Sequence, residues 1–171
     1  MPGAPDTLKS EGLSTSRIEA FSDGVFSIVI TLLILEMKLP ALSYAQAEVT
    51  LLPQLLALGP KLLSYVISFL VIGTYWVAHH NAFQYAERGN RILMWLNMIF
   101  LMCLSSIPFP TALLGDYAPL PVAVATYGLT MLVTAIIFNA MWWYIAYGSG
   151  LMRSTVNAQT VGMLDVGGIF G

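Results

Sequence analysis

Arg17-Ile18-Glu19-Ala20-Phe21-Ser22-Asp23-Gly24 runs without a break into Val25-Phe26-Ser27-Ile28-Val29-Ile30-Thr31-Leu32-Leu33-Ile34-Leu35. The first half places Arg17, Glu19, Ser22 and Asp23 at the mouth of an apolar segment, and Ser27 and Thr31 sit inside it. A lipid anchor needs none of these groups, and desolvating them in hydrocarbon is unfavourable. The stretch reads as a membrane helix facing protein or water, with the rest of the chain as its support.

Composition agrees. Of 171 residues, 57% are hydrophobic and 9% charged, against about 25% charged in soluble domains. Net charge is −2 and no basic run occurs, so nucleic acid is not an expected partner. The single cysteine, Cys103, allows neither an intrachain disulfide nor a thiolate metal site. His79 and His80 are adjacent, hence about 100° apart on a helix, and do not converge on one metal. No cofactor is expected. No serine, cysteine or metal constellation supports an enzyme, and no internal repeat is visible. Ala45-Gln46-Ala47 resembles a signal-peptidase site. The acidic residues Asp6, Glu11, Glu19 and Asp23 before the apolar run, and Glu36 and Lys38 after it, argue against cleavage.

In chain order, residues 1–15 read as a disordered tail rich in Pro, Gly, Ser and Thr, and residues 16–171 as a single transmembrane helical domain. Ser14, Thr15 or Ser16 can cap the first helix, and Ser16 with Glu19 has capping-box spacing. That span covers about 18–39, where Pro40 stops it; about 22 residues give roughly 33 Å, enough to cross a bilayer. Residues 41–59 read as a short interfacial helix or an extension of the next span, with a break at Gly59-Pro60. Further spans cover about 62–83, 92–114 and 121–147, with a partial one at 155–171. Pro108 and Pro110 predict a kinked or unwound end to the third, its freed carbonyls within reach of Ser and Thr hydroxyls. Met141-Trp142-Trp143-Tyr144 reads as an interfacial aromatic belt. The fold class is all-α, a polytopic helical membrane protein.

Lys9, Arg17, Arg88, Arg91 and Arg153 fall on one side of this topology, and Lys38 and Lys61 on the other. The positive-inside rule then places the N-terminus in the cytoplasm. Arg17, Ser22, Asp23, Trp76, His79, His80 and Asn97 lie at similar depth near that face. Asp23 needs a partner there, with candidates in Arg17, a histidine, Trp76 and Asn97. Arg17 and Asp23, six residues apart, are poorly placed for one another, so each is expected to pair across helices or between subunits. The simplest role for the cluster is an interhelical clamp; a proton relay through a histidine is the sharper alternative.

On the first helix, Ile28, Thr31 and Leu35 form one stripe, continued by Gly24 and flanked by Ser27. Spacing alone favours close helix packing, since small and hydroxyl residues permit it and hydroxyls can return to the i−4 carbonyl. Apolar rings alternating with a hydroxyl also suit a hydrophobically gated ion path.

Three ordered motifs carry a resemblance: Arg17-x-x-x-Phe21-Ser22-Asp23-Gly24; Gly73-Thr74-Tyr75-Trp76-Val77-Ala78-His79-His80; and Asn97 followed by Ser105-Ser106-Ile107-Pro108-Phe109-Pro110-Thr111. Over about residues 17–115 the chain resembles bacterial homologues of the lysosomal potassium channel family called transmembrane protein 175. The resemblance implies six helices per subunit, a homotetramer in bacterial members and a pore lined by helix one. It implies a potassium-permeable, leak-like cation channel in a bacterial cell membrane, with potassium and the lipid bilayer as partners. Carried over by position, Ile28 and Leu35 form the constriction and Thr31 contributes selectivity, with a permeating potassium ion near it. Leu32 is a further lining candidate. Arg17, Ser22, Asp23, Trp76 and His80 form the family's polar network, with Asn97 a candidate member. The chain departs from the six-helix pattern in having four clear spans and a partial fifth. The rival class is a proton-coupled secondary transporter or exchanger using Asp23 and His80, which typically shows internal repeats.

Overall fold

The computed structural model describes residues 15–38 and 41–148. The elements are α1 (Thr15–Leu35), α2 (Tyr44–Ala57), α3 (Gly59–Tyr85), α4 (Arg91–Ser105), α5 (Pro108–Tyr117) and α6 (Pro121–Trp143), the last continuing into a π-helical turn at Tyr144–Gly148. Among the described residues, four segments are long and apolar enough to cross a membrane: Thr15–Leu35, Gly59–Tyr85, Arg91–Tyr117 and Pro121–Gly148. The first span ends at Leu35 and not near 39, because the chain turns at Glu36–Lys38 before Pro40 is reached. The expected tail, Pro40 and the partial span at 155–171 lie outside the described residues, apart from Thr15, which opens α1. Ser16 therefore sits inside the helix rather than at its cap.

In a bilayer the helices gain little from the hydrophobic effect against one another, so packing and interhelical hydrogen bonds hold them. Phe100 of α4 is the centre of that packing. Its ring lies 6.1 Å from Phe26 of α1, 5.8 Å from Tyr75 and 5.8 Å from His79 of α3, and 5.3 Å from Phe138 of α6. Tilted, edge and offset-stacked contacts of this kind each add about 0.5–1.5 kcal/mol beyond the area they cover.

In two segments the structure chooses between the alternatives the sequence left open. Residues 44–57 form a helix of their own, started by Ser43, whose backbone N–H donates to Gln46 Oε1 at 3.0 Å. None of α2 is buried. Leu58 joins it directly to α3, where Pro60 occupies the first turn, the position at which a missing N–H costs nothing. The third span is kinked rather than unwound, and the kink divides it into two helices. The break falls at Ser106-Ile107, and Pro108 and Pro110 open α5. Ser105 Oγ donates to Met102 O (2.9 Å) and Ser106 Oγ to Cys103 O (2.7 Å), so hydroxyls reach carbonyls at the break.

The α3–α4 turn ends at Asn90, whose Oδ1 accepts from Leu93 N (2.8 Å) as the cap of α4. Its Nδ2 donates to Tyr144 Oη at 2.7 Å, tying the end of α6 to the start of α4. The expected aromatic belt is split: Trp143 is exposed, whereas Trp142 is buried against Tyr85 with rings 5.9 Å apart.

Candidate functional site

Helix α1 has two faces of different chemistry. Ile18, Ser22, Phe26, Val29 and Leu33 recur every three to four residues and are buried against α3, α4 and α5. At about 100° per residue, Thr31 falls diametrically opposite the middle of that stripe. Around it Gly24, Ser27, Ile28, Leu32 and Leu35 are exposed, Ile28 at 59% and Leu35 at 60%. A Cβ added to Gly24 would meet no atom within 4 Å, so packing inside the subunit does not explain that glycine.

The hydroxyls of this face are turned in a particular way. Ser27 Oγ donates to Asp23 O at 2.8 Å, and Thr31 Oγ1 donates to Ser27 O (3.0 Å) and Ile28 O (2.8 Å). Each hydrogen is spent on the helix's own carbonyls. Each oxygen keeps the capacity to accept a further contact. Whatever lies against this face meets hydroxyl oxygens as acceptors, stacked one turn apart between apolar side chains.

The polar residues nearer the start of α1 form two groups. One is buried: His79 Nε2 donates to Asn97 Oδ1 (2.8 Å), Asn97 Nδ2 to Ser22 Oγ (3.0 Å), and Ser22 Oγ to Ile18 O (2.8 Å). Ser22, His79 and Asn97 are each at most 2% exposed. The chain of donors joins α3, α4 and α1 with every member partnered, the condition under which a buried polar network is favourable. His79 is also enclosed by the rings of Phe26, Phe83 and Phe100.

The second group is exposed. Trp76 Nε1 donates to Asp23 Oδ1 at 2.9 Å. His80 stacks on Trp76 with ring centres 6.0 Å apart and planes 17° from parallel, and its Nε2 lies 2.8 Å from the Gln84 amide. Arg17 belongs to neither group. It is exposed, and no ion pair links it to a carboxylate among the described residues.

Of the six residues expected in one network, the structure joins Ser22 with Asn97, and Asp23 with Trp76 and His80, and leaves Arg17 apart. The residue left out of that network is His79. Its signal is present in the sequence. Ser68, Ile72, His79 and Phe83 share one stripe of α3, which puts His79 inward and His80 about 100° away from it. Among the described residues no group of three His, Cys, Asp or Glu side chains could hold a metal ion.

Comparison with known proteins places these residues in context. A family model for the endosomal/lysosomal potassium channel TMEM175 matches residues 17–108. A Streptomyces collinus protein named as a potassium channel is 44% identical over 148 residues, 84% of this chain and 70% of its own length. The crystal structure of a lysosomal potassium-selective channel homologue from Chamaesiphon minutus matches with a TM-score of 0.71 and 43% identity, covering 77% of this chain and 71% of that one. A Gallus gallus protein named as an endosomal/lysosomal proton channel is 38% identical over 114 residues, 64% of this chain and 23% of its own length.

Proposed function

This chain belongs to the TMEM175 potassium channel family, and on that premise we propose that it conducts potassium through a path enclosed by α1 from four copies. The observation that carries the proposal is the division of α1 into a buried face and an opposite face of Gly24, Ser27, Ile28, Thr31 and Leu35 left uncovered by the subunit. One helix cannot enclose a path, and closed symmetry sets the same stripe around an axis. Ile28 and Leu35, with Leu32 beside them, then form apolar rings that gate by dewetting. Thr31 lies between the rings, and its hydroxyl oxygen replaces part of the hydration shell of a dehydrating cation. Apolar rings in series make conduction slow and leak-like.

Asp23, Trp76, His80, Ser22, Asn97 and His79 act in this reading as fasteners that hold α1 at its polar end. Arg17 projects from the same end. The subunits sit in the bacterial cell membrane with the N-terminus in the cytoplasm, the orientation favoured by the basic residues.

Purified protein in liposomes under a potassium gradient should pass potassium passively and faster than sodium. Saturable flux that requires a pH gradient would overturn the proposal in favour of an exchanger acting through Asp23 and His80. Proton current without potassium current would reassign the permeant ion.

A further inference from the structure

Near the end of α1 opposite Arg17, α3 and α5 approach each other closely at Gly115. A Cβ at Gly115 would lie 2.9 Å from Ser64 Oγ and 3.1 Å from Lys61 Cα and Cγ, so only glycine fits there without displacement. The next residue, Asp116, pairs with Lys61 Nζ at 2.6 Å. One turn back, Thr111 Oγ1 donates to Ser68 Oγ at 2.8 Å, and Ser68 Oγ lies 3.1 Å from Tyr127 Oη of α6. Charge, close approach and hydroxyl contacts thus fall along one seam.

This seam abuts the pore helix. Helix α5 packs on α1, and a cavity of about 10 Å³, room for about one water molecule, is lined by Leu33, Glu36 and Met37 on one side and by Lys61, Ser64, Thr111 and Gly115 on the other. Helix α5 is also separated from α4 by the break at Ser106-Ile107. It is a half-span joined to α4 through a kink, at which Ser106 and Ile107 keep helical dihedrals and Ile107 N–H donates to Leu104 O at 3.1 Å, and it is held between α3 on one side and α6 on another.

We propose that Gly115, Lys61 and Asp116 are positioning residues for the pore: the α3–α5 seam sets where the outer half of α1 stands, and so the width of the Leu35 ring. This rests on the channel reading above. Moving α5 away from α3 withdraws the support behind Leu33. The Leu35 ring on the opposite face then loosens, while the Asp23–Trp76 end stays fastened.

The test uses Gly115→Ala as a wedge, with Gly128→Ala on α6, where an added Cβ meets nothing within 4 Å, as the control. Two readouts are taken on protein that elutes at the wild-type position. In liposomes, Gly115→Ala should raise sodium flux relative to potassium several-fold, and Gly128→Ala should not. By electron paramagnetic resonance, nitroxides at Ile34→Cys and Leu129→Cys, in Cys103→Ser protein diluted with unlabelled protein, should show a shifted or broadened distance in Gly115→Ala alone. Lys61→Asp and Asp116→Lys should each move both readouts, and the double exchange should restore them. This charge pair also decides the matter if the wedge prevents folding. Unchanged flux ratio and unchanged distances in the assembled variants would overturn the proposal. If the wild-type protein passes no potassium while the distances still respond, the channel reading fails and the mechanical role of the seam stands.

Discussion

The indole N–H of Trp76 donates to Asp23 Oδ1 across 2.9 Å, so α3 is fastened to the exposed side of α1 and not only to its buried side. Trp76 is itself 42% exposed, which leaves the contact partly open to its surroundings. Trp76→Phe should destabilise the assembled protein by about 1 kcal/mol, the size of an ordinary hydrogen bond, because the contact is only partly shielded. Asp23→Asn, which keeps an acceptor oxygen, should cost less than Asp23→Ala. Thermal melting followed by size-exclusion chromatography measures both, and loss of assembly should precede any change in selectivity. Equal tolerance of Asp23→Asn and Asp23→Ala would show that the carboxylate is no fastener.

The buried chain from His79 through Asn97 to Ser22 predicts a different order of sensitivity. Asn97→Ala removes the middle member and leaves the His79 N–H without its acceptor. In membrane proteins such interhelical bonds are worth roughly 0.6–1.7 kcal/mol. His79→Ala and Asn97→Ala should therefore destabilise the fold more than His80→Ala, and a double-mutant cycle between His79 and Asn97 should show coupling. Independent effects in that cycle would remove the bond from the account.

Ile28→Asn and Leu35→Asn should each raise potassium current by wetting the constriction, and should loosen selectivity. Neither side chain packs inside the subunit, so helical content and elution position should stay the same. If both variants conduct as wild type does, the exposed stripe is a packing surface between copies.

Thr31→Val keeps the shape and removes the oxygen. Its hydroxyl bonds only to carbonyls of its own helix, so the stability change should stay within about 0.5 kcal/mol. Potassium-over-sodium permeability should fall. A fold loss with unaltered selectivity would assign Thr31 to structure instead.

Phe100→Ala empties the point where four helices meet and should cost about 3–5 kcal/mol. Chemical denaturation in detergent checks this against Trp95→Ala, five residues earlier on α4, whose side chain is 61% exposed. Comparable costs at the two positions would show that packing around Phe100 is not the centre of the fold.

The four spans and the all-helical class were legible because mean hydropathy and length decide both, and the Ile28–Thr31–Leu35 stripe followed from spacing; the opposite stripe of Ile18, Ser22, Phe26, Val29 and Leu33 emerged only from the packing. The break at Ser106-Ile107 was not legible. Pro108 and Pro110 signal a disruption, but only tertiary packing decides whether they end one helix or begin the next, and here they begin α5. The autonomy of α2 was left open because Pro53 lies within it, and proline usually counts against a helix interior. Between two adjacent histidines the sequence offers a choice that only the stripe through Ser68, Ile72 and Phe83 resolves, and it selects His79 for the buried network. Trp142 reads as a belt residue by composition, yet α6 turns it into the core and leaves Trp143 outside.

Because α1 keeps its structural and its exposed residues on opposite sides of one cylinder, heritable variation at the two sides has separate consequences. A saturating mutational scan along this helix should report lost protein abundance at Ile18, Ser22, Phe26, Val29 and Leu33. Between those positions, at Gly24, Ser27, Ile28, Thr31 and Leu35, it should report altered transport in protein made at normal levels. In the proposed channel, descendants of such a chain can retune what passes through the membrane one side chain at a time, without a new solution to folding.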